Sequence, residues 1–187
     1  MNNSNDLDLP EPFKEKHKRL TSDFNEKKSK FVITIYGAYG KEIHRDNMLL
    51  LKKYLEENGY THVYIVALGP DDIFINSLKL NDIEKSYFYL ESSDFNILIF
   101  FQEANNDGVG IETKYVLDHE LIHKSSFVFE MRLIEEYGEK KLIPNVSRLI
   151  QDIIRLEPIK YDMGDSEQMC YRVGQHVDHY FYNKLFS

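Results

Sequence analysis

Short apolar runs alternate with amphipathic stretches along this chain. Phe31–Tyr36 (FVITIY) is β-branched and apolar and predicts a core strand. In Asp46–Asn58, Met48, Leu51 and Leu55 share one helical face, widened by Leu50 and Tyr54. Lys52, Lys53, Glu56 and Glu57 supply its solvated side, and Asn58-Gly59 is the expected stop. His62–Leu68 (HVYIVAL) predicts a second strand and Asn81–Ser92 a helix. Asp94–Phe101 predicts a third strand, apolar from Phe95 except at Asn96, as suits a strand covered on both faces.

Asn105, Asn106, Asp107, Gly108 and Gly110 then turn the chain, and Gly108–Lys124 reads as the next helix. Ser126–Met131, extendable to Leu133, predicts a fourth strand, and Glu135–Lys141 a charged connection. Pro144 is placed to open a helix running to Arg155. Pro158–Tyr161 predicts a short fifth strand, and the chain from Met163 onward a closing helix.

Strands and helices in alternation predict an α/β fold of three layers. About five parallel strands, in a flavodoxin-like or Rossmann-like order, would carry helices on both faces. Ligands of such folds bind beyond the carboxyl ends of the strands. Three loops should meet there, at Gly37–Lys41, Gly69–Asn76 and Gln102–Glu112.

Composition narrows the function classes. At 187 residues the chain suits one domain, expected over residues 30–187 after a charged, flexible segment at 1–29 that holds one solvated helix around Pro12–Phe24. A net charge of −8 argues against non-specific nucleic-acid binding and against an anionic membrane surface. The single cysteine, Cys170, permits no internal disulfide, and no apolar run spans a bilayer, so a cytoplasmic location is expected. Cys170 itself reads as a small buried apolar residue. The aromatic run YFYNKLF near the end is a candidate contact for a second copy, and a monomer core explains it equally well.

The candidate chemistry centres on one carboxylate. Glu112 is expected in the first turn of its helix, where the helix dipole and free N–H groups favour the ionised form. An ionised, fixed carboxylate can attack or stabilise the electron-poor anomeric carbon of a nucleoside, and a second acid can protonate the leaving base. Gly37 and Gly40, flanking Tyr39 after the first strand, permit close approach of a ligand to the backbone, and a plain tight turn explains them as well. Asp71 and Asp72 are candidates to meet a ribose or a metal, against a role as loop caps or solvated loop residues.

A rival signal is His119-Glu120-Leu121-Ile122-His123. On a helix, His119 and His123 would share a face and ligate zinc, with Glu120 as base. His176 and His179 form a second spaced pair on the closing helix.

The order IYGAYG, Asn81-Asp82, SDFNILIFF and DGVGIETKYVL resembles the nucleoside 2-deoxyribosyltransferase family. The resemblance covers roughly residues 31–162. It implies that Glu112, four residues after Gly108, is the nucleophile, that Asp94 is the pre-strand aspartate of the ligand site, and that Asp82 is the acid that handles the base. Gly37, Tyr39, Gly40, Asp71, Gly108 and Gly110 would line the ligand. It implies a nucleoside or nucleotide as partner, with no metal or redox cofactor. Related Rossmann-like domains, including Toll/interleukin-receptor-like NAD-cleaving ones, also set a glutamate against an N-glycosidic bond. Nucleotide-sensing relatives of this class only bind.

Overall fold

The computed structural model describes residues 10–66, 79–134, 139–141 and 157–186. The elements are α1 (Glu11–Ser29), β1 (Val32–Tyr36), α2 (Glu42–Glu57), β2 (His62–Ile65), α3 (Asp82–Ser92), β3 (Phe95–Phe100), α4 (Asp107–Asp118), a 3-10 turn (Leu121–Lys124), β4 (Ser125–Ile134), β5 (Glu139–Lys141), β6 (Ile159–Asp162) and α5 (Ser166–Phe186).

Five strands run parallel in the order β2-β1-β3-β4-β6. Taken in chain order this is the flavodoxin-like arrangement, with helices on both faces. Residues 135–141 were expected as a connection, but β5 pairs antiparallel with the end of β4, Arg132 opposite Lys141. Its charged residues, Glu139, Lys140 and Lys141, carry no strand signature, so only pairing reveals it. The expected helix at Pro144–Arg155 lies outside the described residues.

Alternation along the central strands sorts the core into two. Ile33, Ile35, Ile97 and Ile99 face Met48, Leu51 and Leu55 of α2 and Met169, Val173, Val177 and Phe181 of α5. Tyr36, Leu98 and Phe100 face Leu90 of α3, Val109 and Val116 of α4, and Leu121. Two glycines serve this packing. A Cβ at Gly174 would lie 2.5 Å from the Tyr54 ring, where α5 crosses α2. One at Gly37 would lie 2.8 Å from Met48 Sδ and 3.3 Å from the Phe101 ring.

Asn96, the polar residue in the apolar β3 run, is fully buried and fully used. The Thr34 hydroxyl donates to its Oδ1 at 2.7 Å across the β1–β3 pair, and its Nδ2 donates to Leu90 O at 3.1 Å. The solvated helix α1 reaches Ser29 and buries none of its residues. Its second half is anchored. Phe24 stacks on Tyr182 at 5.1 Å and meets Phe181 edge-on at 5.2 Å, and Lys28 pairs with Asp178 at 2.8 Å.

α3 opens with a reciprocal cap. Asn81 Oδ1 accepts the Glu84 N–H at 2.9 Å, and Glu84 accepts the Asn81 N–H at 2.8 Å. Asn81→Ala should destabilise the fold by about 1 kcal/mol, the usual worth of such a cap, measured as a lower urea midpoint at unchanged slope.

Candidate functional site

Glu112 is the sixth residue of α4, which starts at Asp107. It therefore sits in the second turn and not the first, and Asp107 takes the first-turn position. The helix dipole that was expected to keep Glu112 ionised falls off within that first turn. Burial decides instead. Glu112 is partly buried between α4 and α3, and desolvation pushes its pKa up to about 7, against a smaller opposing pull from the Ser86 hydroxyl. Ser86 Oγ donates to Glu112 Oε1 at 2.8 Å.

The third member is Tyr36, at the carboxyl end of β1 and fully buried. Its hydroxyl donates to Ser86 O at 3.3 Å. Burial raises its pKa well above the usual phenol range, and the nearby Glu112 carboxylate adds to the shift. Three elements thus bring a carboxyl, a hydroxyl and a neutral phenol together. At neutral pH the carboxyl stands between its two charge states, able to hold a proton or to present an anion. Tyr36 and Ser86 were not foreseen. Tyr36 ends an ordinary apolar strand pattern, and Ser86 lies inside a helix pattern, so neither stands out without its neighbours.

The other anticipated residues divide. Asp82 is the first residue of α3, exposed, one helical turn before Ser86 on the same side of the helix. Gly108 and Gly110 lie in the opening turns of α4 with open space where a Cβ would be, and Gly40 is likewise open. Tyr39 is exposed beside it. Gly37 is spoken for by Met48 and Phe101, so packing alone requires its missing side chain.

Asp94 stands at the opposite, amino edge of the sheet, apart from Glu112. Its Oδ2 accepts the Val32 N–H at 3.0 Å and its Oδ1 the Lys184 ammonium at 2.6 Å, tying β1, β3 and α5 together. Asp71 and Asp72 lie outside the described residues, as does most of the loop after β2.

The loops after β1 and β3 do meet at the carboxyl edge, where Lys41 Nζ lies 3.1 Å from Glu103 Oε2. Asn106 holds the second loop in shape. Its Oδ1 accepts the Phe101 N–H at 3.2 Å and its Nδ2 donates to Phe101 O at 2.9 Å. Asn106→Leu would strand both groups in a buried setting, so a loss of about 1–3 kcal/mol is expected in denaturant unfolding. Beside this loop the buried His44 ring stacks on Phe101 at 4.4 Å, and its Nδ1 has no partner among the described residues. Desolvation lowers the His44 pKa.

The histidine pair of the HELIH segment is not on a helix. α4 ends at Asp118, and Glu120 adopts a left-handed conformation at φ 58° that breaks the chain before the 3-10 turn. A helix to Lys124 was expected because glutamate is not the usual residue for such a break; glycine or asparagine is. His119 Nδ1 donates to Tyr115 O at 3.0 Å and its ring stacks on Tyr115, while His123 Nδ1 donates to Glu120 O at 2.9 Å. The shared helical face on which the zinc reading rested is gone. Among the described residues no three His, Cys, Asp or Glu side chains come together as a metal site would require. Cys170 is buried, and burial raises its thiol to about 11.

No protein-family model matches this chain, and no curated protein is significantly similar to it. The class is therefore defined by fold and site. This is a Rossmann/flavodoxin-like α/β domain with a buried polar network on one face of its sheet, an architecture that fits a small, nucleotide-like ligand in general. Among the described residues no helix is long and apolar enough to cross a membrane.

Proposed function

We propose that the domain binds a nucleoside or nucleotide at the carboxyl edge and cleaves or transfers across its N-glycosidic bond, as its resemblance to the nucleoside 2-deoxyribosyltransferases suggests. The observation that carries this reading is the partly buried Glu112 carboxyl, poised near neutrality and oriented by the Ser86 hydroxyl. In the ionised form, a Glu112 oxygen attacks the anomeric carbon or stabilises its developing charge. The C–N bond breaks, and the base leaves with the electron pair and takes a proton from a second acid. Asp82 is the nearest candidate for that acid along the α3 face, with Asp71 the alternative. Water or an incoming base then accepts the sugar. Tyr39, Gly40, Gly108 and Gly110 would hold the sugar or phosphate.

The test is base release from deoxynucleosides, nucleotides and NAD, followed chromatographically. Release should rise as the pH passes from 6 to 8, because attack needs the ionised carboxylate and its pKa is about 7. Glu112→Gln should abolish it; release that survives the substitution removes Glu112 from the mechanism.

One observation favours a second reading, that the domain binds without turning over. Among the described residues no charged group shifts the Glu112 pKa; burial and the Ser86 hydroxyl are what act on it. A binding module would show ligand-dependent melting shifts with no base released.

A further inference from the structure

The first half of α1 is poorly accounted for by the fold of a single chain. Residues 11–23 are exposed throughout, and the contacts that hold the helix lie in its second half, at Phe24, Lys28 and Ser29. A bare helical stretch of that length is marginal in water unless one of its faces is packed. Such a face is present. Phe13, Leu20 and Phe24 follow one another at spacings of seven and four, which sets them in one stripe. Phe24 is covered by Phe181 and Tyr182, whereas Phe13 and Leu20 stand 62% and 59% exposed.

α1 and α5 run antiparallel where they touch. Lys28 pairs with Asp178, and Phe24, one turn earlier, stacks on Tyr182, one turn later. One turn further in the same direction come Leu20 on α1 and Phe186 on α5, the last residue of that helix and 83% exposed. Phe13 lies about 10 Å beyond Leu20, at ~1.5 Å of rise per residue, and so past the last turn of α5. The α1–α5 contact of one chain therefore continues outward as a strip of exposed apolar side chains, with Tyr182 and Phe186 on one helix and Leu20 and Phe13 on the other. Charge narrows what covers it. Lys14, Lys16, Lys18 and Arg19 against Glu11 and Glu15 make this half of α1 basic, in a chain whose net charge is −8. Nucleic acid or an anionic bilayer would attract the arm and repel the rest of the chain. A second copy is the complementary case. It offers an acidic body to the basic arm, and Tyr182 and Phe186 to Phe13 and Leu20. Both halves of the contact lie on one chain, as a closed two-fold pair requires.

We propose that the first half of α1 is a dimerisation arm whose partner is a second copy of this chain. Across a two-fold axis, Phe13 and Leu20 of each copy pack on Tyr182 and Phe186 at the end of α5 of the other. The lysines and Arg19 of the arm stay at the rim, toward the acidic surface of the second copy. The joint uses no group of the carboxyl edge, so it stands whether or not the domain turns over a nucleoside.

The test is sedimentation equilibrium of the full chain as its concentration rises. The mass should climb from the 22.2 kDa of one chain to twice that value, within a range of about 1 to 200 µM. The double variant Phe13→Glu, Leu20→Glu should weaken the association at least about tenfold, and Phe186→Glu alone should weaken it in the same direction. Both should melt with the dilute parent chain, because these side chains are exposed within one copy. Amide exchange over Glu11–Leu20 should slow with concentration in the parent and not in the double variant. Glu112→Gln should associate as the parent does. A mass that stays at one chain throughout overturns the proposal. A dimer untouched by the double variant also overturns it, by placing the joint elsewhere. Cosedimentation of the monomer with phosphatidylserine vesicles, lost in the double variant, overturns it too, by giving the strip to a bilayer.

Discussion

Glu112→Gln should be more stable than the parent chain at pH 8, with most of that margin gone at pH 5. The parent carboxyl has a folded-state pKa of about 7 against an ordinary value of 4.5, because burial disfavours its charge. Below the ordinary value both folded and unfolded chains hold the proton. Between the two values the folded chain keeps a proton that the unfolded chain gives up, so folding weakens as the pH rises, and the loss is complete above about 7. The shift corresponds to at most about 3 kcal/mol, taking ~1.4 kcal/mol for each pKa unit.

Glutamine carries no charge in either state and still offers Ser86 an acceptor oxygen. The substitution therefore removes the pH-dependent term and keeps the hydrogen bond. Thermal melts at pH 5 and pH 8 read it out, with a gain of several degrees at the higher pH for a chain of this length. His44 and His176, whose pKa values burial lowers, act in the opposite sense and are common to both proteins, so the difference between the two isolates Glu112. An identical pH slope in parent and variant would show that the carboxyl titrates as an exposed group. The nucleophile reading would then lose the poised acid on which it stands.

Phe181→Ala should be the more damaging change. Phe181 is 2% exposed, and its ring meets Phe24, Phe31 and Tyr60 edge-on at 5.2, 5.2 and 5.9 Å. It is the point where α1, the chain entering β1, the approach to β2 and α5 all touch. Removing a buried phenyl ring loses its transfer free energy and leaves a cavity that the fixed sheet cannot collapse into, at about 3–5 kcal/mol. Because Phe24 depends on this ring, α1 should also loosen. Denaturant unfolding gives the first effect, and faster amide hydrogen exchange over Glu11–Ser29 the second. A loss under about 1 kcal/mol, with α1 exchange unchanged, would mean the aromatic cluster is incidental to how the helix is held.

The effects of these substitutions trace back to how much of the molecule a one-dimensional pattern can carry. Core strands β1, β3 and β4 were legible because apolar residues fill most of their buried positions, on both faces of a parallel sheet. Helices α2, α3 and α5 were legible from one-sided periodicity, and the alternation of the two element types was enough to specify the parallel three-layer class. Asn96 looked like an imperfection in an apolar strand. Only the neighbouring Thr34 and the end of α3 show that it is a buried junction.

Boundaries set by backbone conformation were not legible. Glu120 breaks the helix in a left-handed conformation that glutamate seldom adopts, and that single residue undoes the HELIH zinc geometry. β5 was hidden because charged residues form a strand there only by pairing with β4. For the site, the chain alone marks Glu112 as a carboxylate near a helix start. Its charge state depends on how much water reaches it, and that is settled by the packing of α3 across it, opposed by the Ser86 hydroxyl at 2.8 Å. Periodicity along the chain reports which side of an element is covered; desolvation and hydrogen-bond partners come from residues far apart in sequence, and so only the assembled tertiary structure could decide them.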